Sequence, residues 1–245
     1  MRVTRCRVGV PLDVGARLTL PEGAAAHLTR VLRLRVGDAC VLFNGDGCDY
    51  TATLVAAGKR ETLVDIESAR PVASESPLHI TLVQGIARGE KMDLILQKAT
   101  ELGVAAFVPV IAERTEVKLD AERALKRMAH WTSVIDSACE QSGRARVPPL
   151  AAAIPLRDAL PGLDQSGLLL TLDPQGQCAF GALPVPAQDR ATIAIGPEGG
   201  WSPRDRALLE SAGFLGLRLG PRVLRTETAG LAAITALQLR FGDLG

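Results

Sequence analysis

The periodicity of the apolar residues changes once along the chain, and that change limits the folds open to it. From Arg2 to about Pro71 they fall in short strand-like runs, Val3–Val10, Arg17–Leu20, Ala39–Phe43, Tyr50–Ala56 and Thr62–Ile66, separated by glycine and proline. One helical stretch, about Glu22–Leu32, interrupts them. Asn44-Gly45-Asp46-Gly47 lies between two runs and predicts a hairpin, because Asn and Gly tolerate positive φ. Short strands with a single helix predict a small β-barrel. The polar, proline-flanked stretch Arg70–Pro77 predicts a linker.

From Leu78 onward, strands alternate with helices. Leu78–Gly85, Phe107–Ile111, Gly167–Leu172, Ala191–Ile195 and Leu215–Leu219 are the strand candidates. Arg88–Leu102, Asp120–Gln141 and Thr226–Phe241 are helical, with Met92, Leu96, Ala99 and Leu102 on one face of the first. This rhythm predicts an α/β fold with a mostly parallel, helix-covered sheet. The expected division is therefore a β-rich domain over residues 1–73 and an α/β domain over 74–245.

The 245 residues are 47% hydrophobic and 22% charged, enough to fill a core and to exclude a largely disordered chain. No apolar run approaches the ~18 residues that span a bilayer. The N-terminus lacks an apolar signal region, so no membrane partner and a cytoplasmic location are expected. Cys6, Cys40, Cys48, Cys139 and Cys178 form no CxxC pair, and His27, His79 and His130 are far apart. Neither a disulfide framework nor a metal site is expected, and each thiol is read as a small buried apolar group. Net charge is only +1, but residues 1–35 carry seven arginines against two acids, a local surplus suited to a polyanionic partner or simply to solvent.

Two segments stand out as candidate sites. Ile195–Pro203 follows an apolar strand, holds three glycines within five residues, and ends in Ser202-Pro203 with Asp205 beyond, the pattern of an N-cap, an N1 proline and a capping box. Ligands of open α/β sheets sit on such turns at the carboxyl ends of strands. Glu198 within the turn disfavours a bare phosphate. Leu217–Ala229 repeats the arrangement: a strand, Gly220-Pro221, a loop, and a helix that Thr226 or Thr228 can cap. The helix beyond is apolar on most sides, fit for burial in the monomer or at an oligomer interface. Together the two turns suggest one crevice of adenosine size.

At these residues the chain resembles a known family. GPEGGWS (Gly196–Ser202) and LGPRVLRTETA (Leu219–Ala229) resemble the ribosomal RNA N3-uridine methyltransferases of the SPOUT superfamily, RsmE type. RVLRL (Arg30–Leu34), SPLHI (Ser76–Ile80), RGEKMD (Arg88–Asp93), QKATELGV (Gln97–Val104), ERTEVKL (Glu113–Leu119), ACEQSGRARVP (Ala138–Pro148) and LQLRFGDLG (Leu237–Gly245) extend the likeness over both domains.

The resemblance implies an N-terminal PUA-like β-barrel that binds RNA and a C-terminal α/β trefoil-knot methyltransferase domain. It implies S-adenosylmethionine as cofactor, held by Thr171 and Leu172, by Gly196, Pro197, Glu198, Gly199 and Gly200, and by Leu219, Gly220, Leu224, Thr226 and Ala229. It implies 16S ribosomal RNA or the assembled small subunit as substrate and a homodimer as the working state. Methylation at uridine N3 requires loss of a proton and stabilisation of charge on the ring. Arg225 is the candidate for positioning or charge stabilisation. Glu227 is either the proton acceptor or a helix-dipole partner. Arg5, Arg30 and Arg33 are expected to grip phosphates, with Arg88, Arg114 and Arg144 at the entrance or in surface ion pairs. Aromatic residues are only 3% of the chain, so grip by arginine is expected in place of stacking. A non-catalytic RNA-binding protein of the same fold, or a nucleotide-phosphate enzyme, are the competing readings.

Overall fold

The computed structural model describes residues 4–58, 61–117 and 121–245. Val3 and Asp120, at the starts of an expected strand and helix, lie outside them, as do Arg2 of the basic surplus and the end of the Glu113–Leu119 segment. The chain divides into two compact units, Met1–Glu75 with Asp136–Val147, and Ser76–Ile135 with Pro148–Gly245. The first therefore takes in a segment that the sequence reading, with its boundary after residue 73, gave wholly to the second.

The first unit is a five-stranded sheet in the order β1-β3-β4-β5-β2, made of β1 (Arg5–Arg7), β2 (Arg17–Thr19), β3 (Ala39–Phe43), β4 (Cys48–Ala57) and β5 (Thr62–Pro71). Only β1 and β3 are parallel. Alternation selects its core: Tyr50, Ala52 and Leu54 of β4 are buried while Thr51, Thr53 and Val55 between them are less so. The Asn44–Gly47 hairpin joins β3 to β4 with Gly45 and Gly47 at positive φ. β5 runs on through Pro71, pairing Arg70 with Asp49 and Pro71 with Cys48, so the expected linker begins inside a strand. Its second half is exposed and polar, which made it resemble a loop.

The helical stretch also divides. α1 (Glu22–Ala26) passes into a π-helical turn, His27–Val31. There Leu32 N–H donates to His27 O, while the Thr29 hydroxyl takes the i−4 carbonyl of Ala25 at 2.7 Å. A hydroxyl competing for the helix ladder in this way favours the wider turn. Segment Asp136–Val147 is tied to the sheet by polar contacts: Arg7 N–H donates to Glu140 at 2.9 Å and Arg5 Nη2 to the Arg144 carbonyl at 2.9 Å. Cys6, Cys40 and Cys139 are buried, and burial pushes their thiols up to about 12, 11 and 12.

The second unit is a seven-stranded, wholly parallel sheet in the order β10-β12-β9-β11-β6-β7-β8. Its strands are β6 (His79–Gly85), β7 (Val104–Ile111), β8 (Ile154–Pro155), β9 (Leu168–Leu172), β10 (Cys178–Ala179), β11 (Arg190–Ile195) and β12 (Leu215–Arg218). β11 is buried from Ala191 to Ile195, as expected of a central strand covered on both faces. The helices are α2 (Glu90–Glu101), α3 (Ala121–Ser142, which runs on into the first unit), α4 (Leu156–Ala159), α5 (Pro203–Ser211) and α6 (Thr226–Phe241). Met92, Ile95, Leu96 and Ala99 form the buried face of α2, and α2 packs against α6. Among the described residues, no helix is long and apolar enough to cross a membrane, and no cluster of side chains has a metal-binding composition.

Candidate cofactor crevice

Strand order builds the site. β9 lies between β11 and β12, so the carboxyl ends of three neighbouring parallel strands open on the same side of the sheet. The turns leaving them enclose a crevice of about 500 Å³, large enough for a nucleoside-sized ligand. Its walls are Leu172, Asp173 and Pro174 after β9; Gly196, Pro197, Glu198, Gly199, Gly200 and Trp201 after β11; and Leu219, Gly220, Leu224, Arg225, Thr226, Glu227 and Ala229 after β12.

The β11 turn is held from four directions. Gly200 sits at φ +65°, a conformation that a side chain would strain. Beyond it Ser202 and Asp205 form the expected capping box, their reciprocal bonds 3.0 and 3.1 Å long. On its inner side the Thr226 hydroxyl donates to Gly196 O at 2.6 Å and accepts from Gln84 Nε2 at 3.2 Å. Thr226 is therefore the first residue of α6, with its side chain turned to this tie, and Arg225 is the N-cap residue without a side-chain bond. Gly85 closes the fourth side, since a Cβ there would lie 2.6 Å from Pro197 N and Cδ.

Glu198, in the crevice wall, is held by two donors. It accepts the Arg88 N–H at 3.0 Å and Lys91 Nζ at 3.1 Å. Partial burial pushes its carboxyl up, but these bonds outweigh it and hold it below the usual glutamate value. Arg88 directs its guanidinium to Glu116 at 2.6 Å, and Arg114 Nη1 donates to Gly199 O at 3.0 Å. Both arginines thus brace the turn. Thr171 does not line the crevice: its hydroxyl accepts from Trp201 Nε1 at 2.9 Å and donates to Ala194 O at 3.1 Å, fixing the indole that does.

Three groups in the wall lack partners among the described residues. Glu227 Oε2 is buried with no hydrogen-bond partner, and the Arg222 and Arg225 guanidiniums have none among the described residues. A buried oxygen left unpaired, in a crevice whose wall also carries unpaired cations, is open to a donor from elsewhere. By contrast Lys91 pairs with Glu198 and Arg206 with Asp173 at 3.4 Å.

The remaining sequence candidates lie in the first unit. Arg5 is internal: it donates to Asp49 at 2.6 Å and its guanidinium lies 4.8 Å from the Phe43 ring centre. Arg144 is buried and paired with Glu75 at 2.5 Å. Neither presents its charge to a polyanion, because each neutralises a neighbouring carboxylate. Arg30 and Arg33 are exposed. Sequence reasoning assigned no role to Trp201, Gln84 or Gly85; only Trp201, which lies within the quoted GPEGGWS motif, carried a local signal.

Fold and crevice define an RNA methyltransferase: the family model described as an RNA methyltransferase domain matches residues 74–238, and that described as an RNA methyltransferase PUA domain matches 20–67. A protein from Legionella pneumophila, determined with bound S-adenosylmethionine, is 40% identical over the whole of both chains, with a TM-score of 0.94. A ribosomal RNA small subunit methyltransferase E from Neisseria gonorrhoeae, also bound to S-adenosylmethionine, is 40% identical over both full chains at TM-score 0.92. The enzyme of that name from Buchnera aphidicola is 29% identical over 99% of this chain and 98% of its own. The chain belongs to the ribosomal RNA small subunit methyltransferase E family.

Proposed function

We propose that the protein uses S-adenosylmethionine to methylate N3 of a uridine in 16S ribosomal RNA of the small subunit, and that it works as a homodimer. The observation that carries this reading is that the buried, unpaired Glu227 oxygen and the unpaired Arg225 guanidinium belong to the wall of one nucleoside-sized crevice.

The crevice suits the cofactor. Leu172, Leu217, Leu219 and Leu224 offer an apolar slot for a purine, and the turn at Gly196–Gly200 brings backbone polar groups to the same wall. Bound S-adenosylmethionine supplies an electrophilic methyl group on a cationic sulfur. Glu227 accepts the N3 proton as the new N–C bond forms, its carboxylate becoming the carboxylic acid and later returning the proton to water. Arg225 orients the ring and offsets the negative charge that grows on its carbonyl oxygens. Base pairing hides N3, so the target uridine is unpaired or turned outward. Arg30 and Arg33 grip phosphates, while Arg88 and Arg114 act through the turn they brace. A ribosomal substrate implies a cytoplasmic site of action. The second copy covers the half-exposed apolar side of α6, Leu231, Ala232 and Ala236 with the exposed Leu239.

The test is methyl transfer. Labelled S-adenosylmethionine is incubated with small subunits or 16S RNA lacking the modification, and the product nucleotide is mapped by mass. A single N3-methyluridine is expected. Undiminished adenosylhomocysteine binding without label transfer would leave a non-catalytic RNA-binding protein, and sedimentation as an active monomer would remove the dimer.

A further inference from the structure

The crevice wall carries a pair of opposite charges that the proposed reaction leaves unused. Asp173, in the turn after β9, and Arg206, on α5 beyond the turn after β11, approach each other to 3.4 Å. Their side chains are 22% and 46% exposed, so a ligand in the crevice can reach both. The contact is an attraction without a hydrogen bond. Among the described residues the Arg206 guanidinium donates to no acceptor, and Asp173 Oδ2 receives no donor. Lys91 and Glu198, the other pair in the wall, differ: Glu198 already accepts two hydrogen bonds, one of them from the Arg88 backbone.

Both side chains stand on fixed backbone. Asp173 N–H donates to Leu217 O at 3.0 Å, and Gly176 N–H returns to Asp173 O at 2.9 Å. Asp173 Oδ1 accepts the Gln175 N–H at 2.9 Å, so one carboxylate oxygen is committed to the turn and the other is left over. Arg206 N–H donates to Ser202 O at 3.0 Å, in the helical turn that the Ser202–Asp205 box closes. An acceptor oxygen and an unengaged guanidinium fork are thereby preset on two different walls of the crevice.

We infer that Asp173 and Arg206 select the amino-acid end of the cofactor, Asp173 accepting from its α-ammonium and Arg206 donating to its α-carboxylate. This rests on the cofactor proposed above and adds the groups that distinguish its tail from a bare nucleoside. A zwitterion suits the pair because each ligand charge takes over from the partner residue, so the site stays neutral and neither side chain is stranded. A tail with one charge would engage one residue and leave the other without its partner. An uncharged tail would leave the pair as it stands. Arg222 and Arg225 also line the crevice, but neither is paired with a carboxylate among the described residues, so they match an anion and not a zwitterion. The planar Arg206 fork can meet both oxygens of a carboxylate at once.

The test is calorimetric titration of the full-length protein, D173N and R206Q with three adenosyl ligands. Adenosylhomocysteine has both tail charges, decarboxylated S-adenosylmethionine keeps only the ammonium, and methylthioadenosine has neither. Asparagine retains an oxygen for the Gln175 N–H, so D173N removes the charge and keeps the turn. D173N should weaken adenosylhomocysteine and the decarboxylated ligand about tenfold each, the low end for hydrogen bonds to charged groups because the site is partly exposed. R206Q should weaken adenosylhomocysteine by about the same factor and the decarboxylated ligand not at all. Methylthioadenosine should bind all three proteins within about twofold, which shows that the crevice is intact in each. The inference is overturned if either substitution weakens methylthioadenosine as much as adenosylhomocysteine, which would make the pair a brace between walls. It is overturned equally if neither variant changes adenosylhomocysteine binding, or if R222Q and not R206Q weakens it. Failure of the parent to bind any adenosyl ligand would refute the cofactor reading, whereas normal binding with no dependence on the tail refutes this inference alone.

Discussion

Thr226→Val keeps the branched shape of the side chain and removes only its hydroxyl. That hydroxyl donates to Gly196 O at 2.6 Å and accepts from Gln84 Nε2 at 3.2 Å, and Thr226 and Gln84 are 7% and 1% exposed. Water therefore has little access to replace it. Two lost bonds of about 1 kcal/mol each, with a buried carbonyl left short of a partner, give a total near 2–3 kcal/mol. Gly196 opens the turn that lines the crevice, so part of this should appear as weaker binding and part as lower stability. If half reaches the ligand, adenosylhomocysteine affinity falls about tenfold. Calorimetric titration measures that share and urea unfolding the rest. Thr226→Ser, which retains the hydroxyl, should recover most of the affinity. The reasoning is refuted if the valine variant binds within twofold of the parent at unchanged stability, or if serine is as damaging as valine.

Glu227→Gln should bind adenosylhomocysteine within about twofold yet transfer methyl about 10²–10⁴ times more slowly in single-turnover assays; a near-normal rate would leave the carboxylate only its helix-terminal role. Gly85→Ala places a methyl against Pro197, and overpacking of about 1–3 kcal/mol should cost cofactor affinity roughly tenfold, read by the same titration. Asp136 concerns pH. Burial pushes its carboxyl from 3.8 up to about 6, against the pull of Arg7. A raised value means that the folded state holds the proton more tightly, so the stabilisation is present below the unfolded value and is lost as pH rises through the folded one. Urea unfolding should show parental stability falling between about pH 4 and pH 6 relative to Asp136→Asn, with no further divergence above neutrality. A constant difference across that window would contradict the burial of the charge.

Much of the architecture was legible because its causes are local. The strand β3 (Ala39–Phe43) and helix α6 (Thr226–Phe241) have the bounds that periodicity predicts, and the Ser202–Asp205 box was readable from residue spacing alone. Errors arose where tertiary partners decide. Thr226 has every attribute of a cap, yet Gly196 lies across the crevice and takes its hydroxyl. Thr171 lies near the end of the right strand, β9, but its hydroxyl is taken by Trp201. Arg5 and Arg144 sit in a basic sequence environment, and only the fold places Asp49 and Glu75 against them. Gln84 and Gly85 gave no signal, since their importance lies in what approaches them from residues far along the chain.

The order in which the sheet is threaded has a consequence for how the protein matures. Two of the crevice walls leave β9 and β11, which pair with one another directly, but the third leaves β12, which joins the sheet on the far side of β9. During synthesis the first two strands can therefore be in place while nothing yet grips the donor, and a nascent chain would gain affinity in one late step as β12 docks. A ligand that recognises only the completed pocket would act as a clamp on that final event, slowing its reversal in proportion to the metabolite's concentration.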